Sequence, residues 1–237
     1  MNKNAIKLTW LGHATFRIET PGGKILIIDP FITGNPKCPE SEKNVKKLDI
    51  LLCTHGHGDH LGDAIDLIKK YQPVVVGMPE LCGWLEKKAG AKHVSGMNKG
   101  GTQIVGDISV TMVHANHSSG IEDGGGVVYG GAACGYVVEF ENGMKIYHAG
   151  DTNVFGDMSI IRDIYAPDIA LLPIGDHYTM SPREAAYACK LLKPKTVIPI
   201  HFGTFPVLKG TPADLRGLVS GVEVLEMQPG ETTSLGR

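Results

Sequence analysis

The sequence predicts an α/β fold of two mixed β-sheets packed together with helices outside. Strand-like apolar runs alternate with helix-periodic segments along most of the chain. The pattern occurs twice, each half running from hairpin-like strands into strand–helix alternation, and no low-complexity linker divides the halves. With 237 residues, 42% hydrophobic and 20% charged, the chain suits one large domain over residues 1–237 better than two small ones.

Residues 6–10 and 15–20 are rich in β-formers, and Pro21-Gly22-Gly23 supplies turn chemistry before 24–28. Residues 48–53 are apolar apart from Asp49, as in a strand buried on both faces. Leu61, Ala64, Ile65 and Ile68 then recur at helical spacing, so the histidine-rich residues 54–60 lie in a loop between a buried strand and a helix. Residues 74–77 read as a strand, 79–89 as a helix, and 103–114 as β-structure broken at Gly106-Asp107. The glycine-rich stretch 120–135 includes Gly124-Gly125-Gly126 but lacks the lysine and spacing of a phosphate-binding loop, and reads as a flap or turn cluster. Residues 136–141 and 144–148 flank Asn142-Gly143, a strong hairpin signal. Residues 168–174 are another buried strand. Ser181-Pro182-Arg183-Glu184 joins a capping-box pattern to proline at the first helical position, and Ala185, Ala188, Cys189 and Leu192 give that helix its apolar face. Residues 196–200 form the following strand, Thr211-Pro212 opens a last helix, and 222–227 is a last strand.

Residues 54–60, Thr-His-Gly-His-Gly-Asp-His, place four potential ligands close together: His55, His57, Asp59 and His60. Imidazole nitrogen and carboxylate oxygen suit zinc and its neighbours. In an extended loop, residues two apart can point the same way, so His55 and His57 can grip one ion while Asp59 and His60 reach a second. Gly56 and Gly58 allow the backbone to wrap that tightly. Four donors cannot complete two sites. The best further candidates sit just beyond apolar strands: His117 in His114-Ala115-Asn116-His117-Ser118-Ser119, Asp151 in His148-Ala149-Gly150-Asp151-Thr152, and His201 in Ile200-His201-Phe202-Gly203. A carboxylate has two oxygens, so Asp151 could bridge. One ion then takes His55, His57, His117 and Asp151, and the other Asp59, His60, Asp151 and His201. His114 competes with His117, but strand alternation puts them on opposite faces, so one serves.

Together these residues resemble the signature of the metallo-β-lactamase superfamily, His-x-His-x-Asp-His followed by a later His, Asp and His, over residues 10–203. The resemblance implies a four-layer αββα sandwich with a dinuclear site on one edge. More narrowly, Trp10-Leu11-Gly12-His13-Ala14, Ile28-Asp29-Pro30-Phe31 and Asp176-His177-Tyr178-Thr179-Met180 resemble a subgroup of metal-dependent hydrolases similar to L-ascorbate-6-phosphate lactonase, whose His-Ser-Ser pattern favours His117 over His114. His13 and Asp29 resemble motif residues close to the metals, which orient a ligand; a buried polar pair supporting a turn is the plainer reading. His177, after an apolar strand, would face the cleft and contact substrate or protonate a leaving group. His148 reads as a satisfied core histidine, and His93 as surface.

The expected chemistry is hydrolysis of a small-molecule ester, lactone or phosphodiester. Two cations about 3.5–4 Å apart can hold a water and lower its pKa to near 7, with Asp59 orienting that nucleophile and relaying its proton. Zinc is the first choice of divalent metal on this histidine-rich set, and manganese or iron would also fit. The rivals are an iron-dependent oxidoreductase, an RNA-processing nuclease and a non-catalytic binding module. Flavin-coupled di-iron relatives place a Glu where this chain has His57, whereas a mononuclear-iron sulfur dioxygenase keeps similar motifs. A net charge of -2 without a basic run disfavours nucleic acid as a partner. Five scattered cysteines without a CxxC pair point to free thiols in a reducing compartment. Without a signal-type N-terminus or a membrane-length apolar stretch, the expectation is a cytoplasmic protein with no membrane contact. A homo-oligomer is compatible with the sequence, which does not read out assembly.

Overall fold

The computed structural model describes residues 4–236. Chain order begins with β1 (Ile6–Trp10), β2 (Phe16–Glu19), β3 (Ile25–Ile28), β4 (Ile50–Leu52), β5 (Val74–Gly77) and β6 (His93–Gly96). These strands, with β16 (Thr232–Leu235) returning to the edge, make a seven-stranded sheet ordered β16-β1-β2-β3-β4-β5-β6. Its first strands are antiparallel and β3 to β6 parallel. The second sheet uses β7 (Thr102–Val105), β8 (Ile108–His114), β11 (Cys134–Glu139), β12 (Lys145–His148), β13 (Ile169–Pro173), β14 (Thr196–Ile200) and β15 (Glu223–Val224), ordered β15-β14-β13-β12-β11-β8-β7. It repeats the plan of the first, antiparallel from β7 to β12 and parallel beyond.

Period-two alternation explains the layering. Tyr136 and Val138 of β11, and Ile169 and Leu171 of β13, turn into the core between the sheets, where Leu8, Phe16, Ile18 and Leu26 meet them. Their neighbours Val137, Ala170 and Leu172 turn outward, against α4 (Met158–Tyr165), α5 (Pro182–Leu192) and α6 (Pro212–Leu218). Helices α2 (Ala64–Tyr71) and α3 (Pro79–Ala89), following the short α1 (Gly58–Leu61), bury Leu67, Ile68, Leu81 and Leu85 in the first core. Each fully buried Leu, Ile or Phe is worth about 1.5–3 kcal/mol against exposure, so the apolar runs dictate the sandwich. The result is the four-layer αββα arrangement of two mixed sheets flanked by helices.

Several details depart from the sequence expectations. Part of the glycine-rich 120–135 stretch pairs into a separate two-stranded ribbon, β9 (Gly120–Asp123) with β10 (Gly126–Tyr129). The Asn142-Gly143 hairpin exists, but its last pair is Glu139 with Lys145. The turn is longer than two residues because the Asn142 side chain accepts from Met144 N at 3.0 Å, building the bend locally. The strand expected over 222–227 contracts to two residues. Helix α4 and strands β6 and β16 were not among the sequence expectations; α4 buries Met158 and Ile161 and leaves Ile160 and Ile164 exposed. The capping box of α5 forms as expected, Ser181 Oγ accepting from Glu184 N and Ser181 N donating to Glu184 Oε2. All five cysteines are buried and free. Among the described residues no helix is long and apolar enough to cross a membrane.

Candidate metal centre

The chain leaves the carboxyl ends of six strands at one edge of the sandwich, and the polar residues gather there, as ligands do in open α/β sheets. His13 follows β1, Asp29 follows β3, and residues 54–60 follow β4 into α1. His117 lies beyond β8, Asp151 beyond β12 and His201 beyond β14. Two glycines make the approach feasible. A side chain on Gly56 would sit 2.6 Å from Ile121 and 3.1 Å from the Ser119 carbonyl; on Gly150, held at φ +62°, it would meet the Cys134 carbonyl at 2.6 Å. Gly58 meets nothing within 4 Å and has no such constraint.

Donors fall into two groups about Asp151, and a third set, Asp29 with His55 and His60, shares a residue with each. Ligand atoms of His55, His57 and His117 lie within 4.8 Å of one another, and so do those of His13, Asp59, His60 and His201. Asp151 stands between them. Its Oδ2 is 3.9 Å from His55 Nε2 and 3.6 Å from His117 Nε2 on one side, and 3.3 Å from His60 Nε2 and 3.1 Å from His201 Nε2 on the other. The structure thus brings together all seven residues expected as ligands, from both halves of the chain. It also places His13 among them, its Nε2 3.2 Å from Asp59 Oδ2. His114 stays away: it is exposed, beside Lys99 Nζ at 3.1 Å and edge-on to Phe155. His148 is a satisfied core histidine, Nε2 donating to the Ala14 carbonyl and Nδ1 accepting from Gly150 N.

Hydrogen bonds fix which nitrogen each ring turns inward. Asp29 is fully buried and accepts from Thr54 N, Thr54 Oγ1 and His60 Nδ1 at 2.7, 2.7 and 2.8 Å. The Thr54 hydroxyl has spent its proton on Asp29, so at 3.0 Å it accepts from His55 Nδ1. Both rings therefore present Nε2 to the centre. Asp29 orients ligands, and the buried-pair and second-layer readings coincide in it. His13 donates from Nε2 to Asp59, leaving Nδ1 to accept from Thr204 Oγ1 at 3.0 Å.

The donor set fits a cation. His60 Nε2, His201 Nε2 and Asp151 Oδ1 are buried with no hydrogen-bond partner among the described residues. Each such atom costs about 1–3 kcal/mol unless something takes its lone pair. Charges agree. Burial, and then the neighbouring His60, hold His55 well below the usual histidine range. Burial likewise lowers His57 and His117, and burial with the nearby His201 brings His13 to about 4. These imidazoles are neutral, the form that binds metal. Burial alone would raise Asp151, but His201 and His60 overcome it and hold the carboxyl well below its usual range. Burial would lower His60, but Asp151 and Asp29 overcome it and raise it, so a cation bound there displaces a proton. Burial would raise Asp59, but His13 and His60 together lower it.

A cavity of 460 Å³ opens onto the cluster. Its polar lining is His57, Asp59, His117, Asp151 and His201, with Ser118; Tyr178, Phe205 and Val207 complete the lining. His177 does not line it among the described residues. Asp176 and His177 take left-handed backbone, at φ 65° and 62°, and His177 lies exposed, edge-on to the Tyr178 ring at 4.4 Å. Tyr178 is the residue of that loop that reaches the cavity. Phe205 and Val207 of the 205–210 loop line the cavity, whereas Ile121 and Glu122 of the glycine-rich stretch edge a smaller hollow by Gly56, Leu61 and Trp84. Sequence reasoning missed Thr204, for which spacing gives no signal, whereas His13 lies with the second group, close to the donors as its resemblance to a motif residue implied.

Fold and donor set define a class, and a family model described as a β-lactamase superfamily domain matches residues 24–202. A UPF0173 metal-dependent hydrolase of Koribacter versatilis is 61% identical over 234 residues, covering 99% of this chain and 100% of that one. Another from Solibacter usitatus is 50% identical over 228 residues, covering 95% and 98%. Among solved structures, Igni18, a metallo hydrolase from the archaeon Ignicoccus hospitalis, aligns with a TM-score of 0.82 at 33% identity, covering 98% of this chain and 99% of that one. The chain belongs to the metallo-β-lactamase superfamily and, within it, to the UPF0173 metal-dependent hydrolase family.

Proposed function

We propose that this chain hydrolyses a small ester, lactone or phosphodiester with two divalent cations, zinc first and manganese or iron as substitutes. One observation carries the reading: a single buried carboxylate, Asp151, faces four imidazole nitrogens that belong to two separate donor groups. His55, His57, His117 and Asp151 would hold one ion, and Asp59, His60, Asp151 and His201 the other. The relatives in Koribacter versatilis and Solibacter usitatus are metal-dependent hydrolases, which supports the same class. When bound, such a pair supplies Lewis acidity, ionising water near neutral pH and polarising a substrate oxygen.

The chain's own residues supply position and proton traffic. Asp59 lines the cavity and is fixed through Oδ2 by His13, which leaves its other oxygen to serve as a ligand and to orient the attacking water. The Ser118 hydroxyl, 3.2 Å from His57 Nε2, can turn to the substrate's polar atoms. Tyr178, Phe205 and Val207 add apolar contact surface to the cavity. His177, outside the cavity lining, would act only if its loop turns inward.

The test is metal analysis of protein purified without added metal, joined to a panel of lactone, thioester and phosphodiester substrates assayed with zinc, manganese and iron. Two equivalents of metal and hydrolysis of at least one class are expected. One iron per chain with oxygen uptake would instead establish a sulfur dioxygenase-type oxidoreductase.

A further inference from the structure

The cavity lining is of two kinds, and the difference bears on what enters it. Beside the polar donors, the lining includes Tyr178, 58% exposed, and Val207, 41% exposed, a phenol ring and an isopropyl group partly in solvent. Phe205 packs edge-on against His13 at 5.5 Å and against Phe31 at 6.5 Å, so its ring is braced on the donor groups. Exposed apolar surface rimming a pocket of this size marks a ligand contact rather than a folding need.

Charge completes the picture. Among the described residues no lysine or arginine lines the cavity. The reacting atoms of a substrate would sit at the polar donors. Any second anionic group, such as a phosphate carried away from the bond to be broken, would face Tyr178, Phe205 and Val207. A phosphate brings close to two negative charges and needs cationic or multiple hydrogen-bonding partners when it leaves water. Those residues offer none of the cations.

Resting on the hydrolase reading, we infer that this site takes an uncharged ester or lactone whose non-reacting part is small and apolar, and turns away substrates with a distal phosphate or carboxylate. The reaction is balanced by water alone. Its oxygen bonds to the acyl carbon, the acyl carbon–oxygen bond breaks, and a proton passes to the departing oxygen, giving one acid and one alcohol. Nothing is oxidised or reduced. Tyr178, Phe205 and Val207 set the specificity.

Twin substrates test it on the metal-loaded protein: a short alkyl ester and the same ester bearing a phosphate at the far end of its chain, with a bis-aryl phosphodiester as control. The neutral ester should have the higher kcat/KM by about 10- to 100-fold, the range a pocket contact can discriminate. Val207→Lys, at an exposed position that tolerates change, should shrink that ratio about tenfold, and Val207→Leu should keep it. Calorimetry with ketone isosteres of the twins gives a readout independent of turnover, and the neutral isostere should bind more tightly. Equal or better use of the phosphorylated twin overturns the inference, as does hydrolysis of the phosphodiester with neither ester touched; both leave the hydrolase reading standing. No turnover of any of the three, nor of a simple neutral lactone, by protein holding two metal equivalents sinks that reading and this inference with it.

Discussion

The two halves of the molecule position their donors by different means. Donors from the first half are braced by side chains: Asp29 holds His60 directly and His55 through Thr54, and His13 holds Asp59. Donors from the second half have no such bracing among the described residues. Asp151 Oδ1 and both His201 nitrogens lack hydrogen-bond partners. Backbone aims them instead: the left-handed turn at Gly150 sets Asp151, and His201 is itself left-handed at φ 54°, its N donating to the His13 carbonyl. A loop with four donors needs side-chain struts to choose ring orientations. A single donor at a strand end inherits its direction from the sheet.

Four variants break or sharpen that contrast, the first most severely. Asp151→Ala removes the carboxylate that faces both groups, and no neighbouring acid can replace it. Both metals should be lost by elemental analysis and hydrolysis should fall to background; full turnover by a metal-free variant would sink the site assignment. Asp29→Asn keeps shape but removes charge from a group accepting three hydrogen bonds, and metal affinity should drop about 10- to 100-fold in chelator competition. Gly150→Ala attacks the backbone device. The added methyl meets the Cys134 carbonyl at 2.6 Å on a left-handed residue. A stability loss of about 1–3 kcal/mol should appear in urea melts of metal-free protein. Unchanged stability would show that backbone aim at Asp151 is cheap.

The same contrast explains what was legible in the sequence. The dense loop at His55, His57, Asp59 and His60 is local, so its spacing announces it. His117, Asp151 and His201 were legible because each closes an apolar strand run, and strand ends share one edge. Asp29 could be suspected but not assigned, since its partners Thr54 and His60 lie 25 and 31 residues away and meet it only across paired strands. Thr204 was invisible, because a threonine beyond a strand has many uses and its contact with His13 spans 191 residues. The ribbon of β9 and β10 was hidden for the opposite reason: glycine content suggested turns, and Val127 and Tyr129 are exposed, so no buried face gives a period-two signal.

The mildest variant tests how far the bracing reaches. Thr204→Val replaces a hydroxyl with a methyl of similar size at a position only 7% exposed. It touches no member of the donor set except through His13, whose Nδ1 then loses its partner while remaining buried. An unsatisfied buried nitrogen costs about 1–3 kcal/mol, partly relieved if His13 exchanges its proton between nitrogens. That exchange would leave Nε2 without the hydrogen it gives Asp59. The second donor group should therefore weaken by a few-fold, while His55, His57 and His117, which lie on the other side of Asp151, keep their affinity. Stepwise chelator titration separates the two. Equal weakening of both ions would mean that the hydroxyl supports the fold at large, and that the struts of the first half are not specific to the groups they contact.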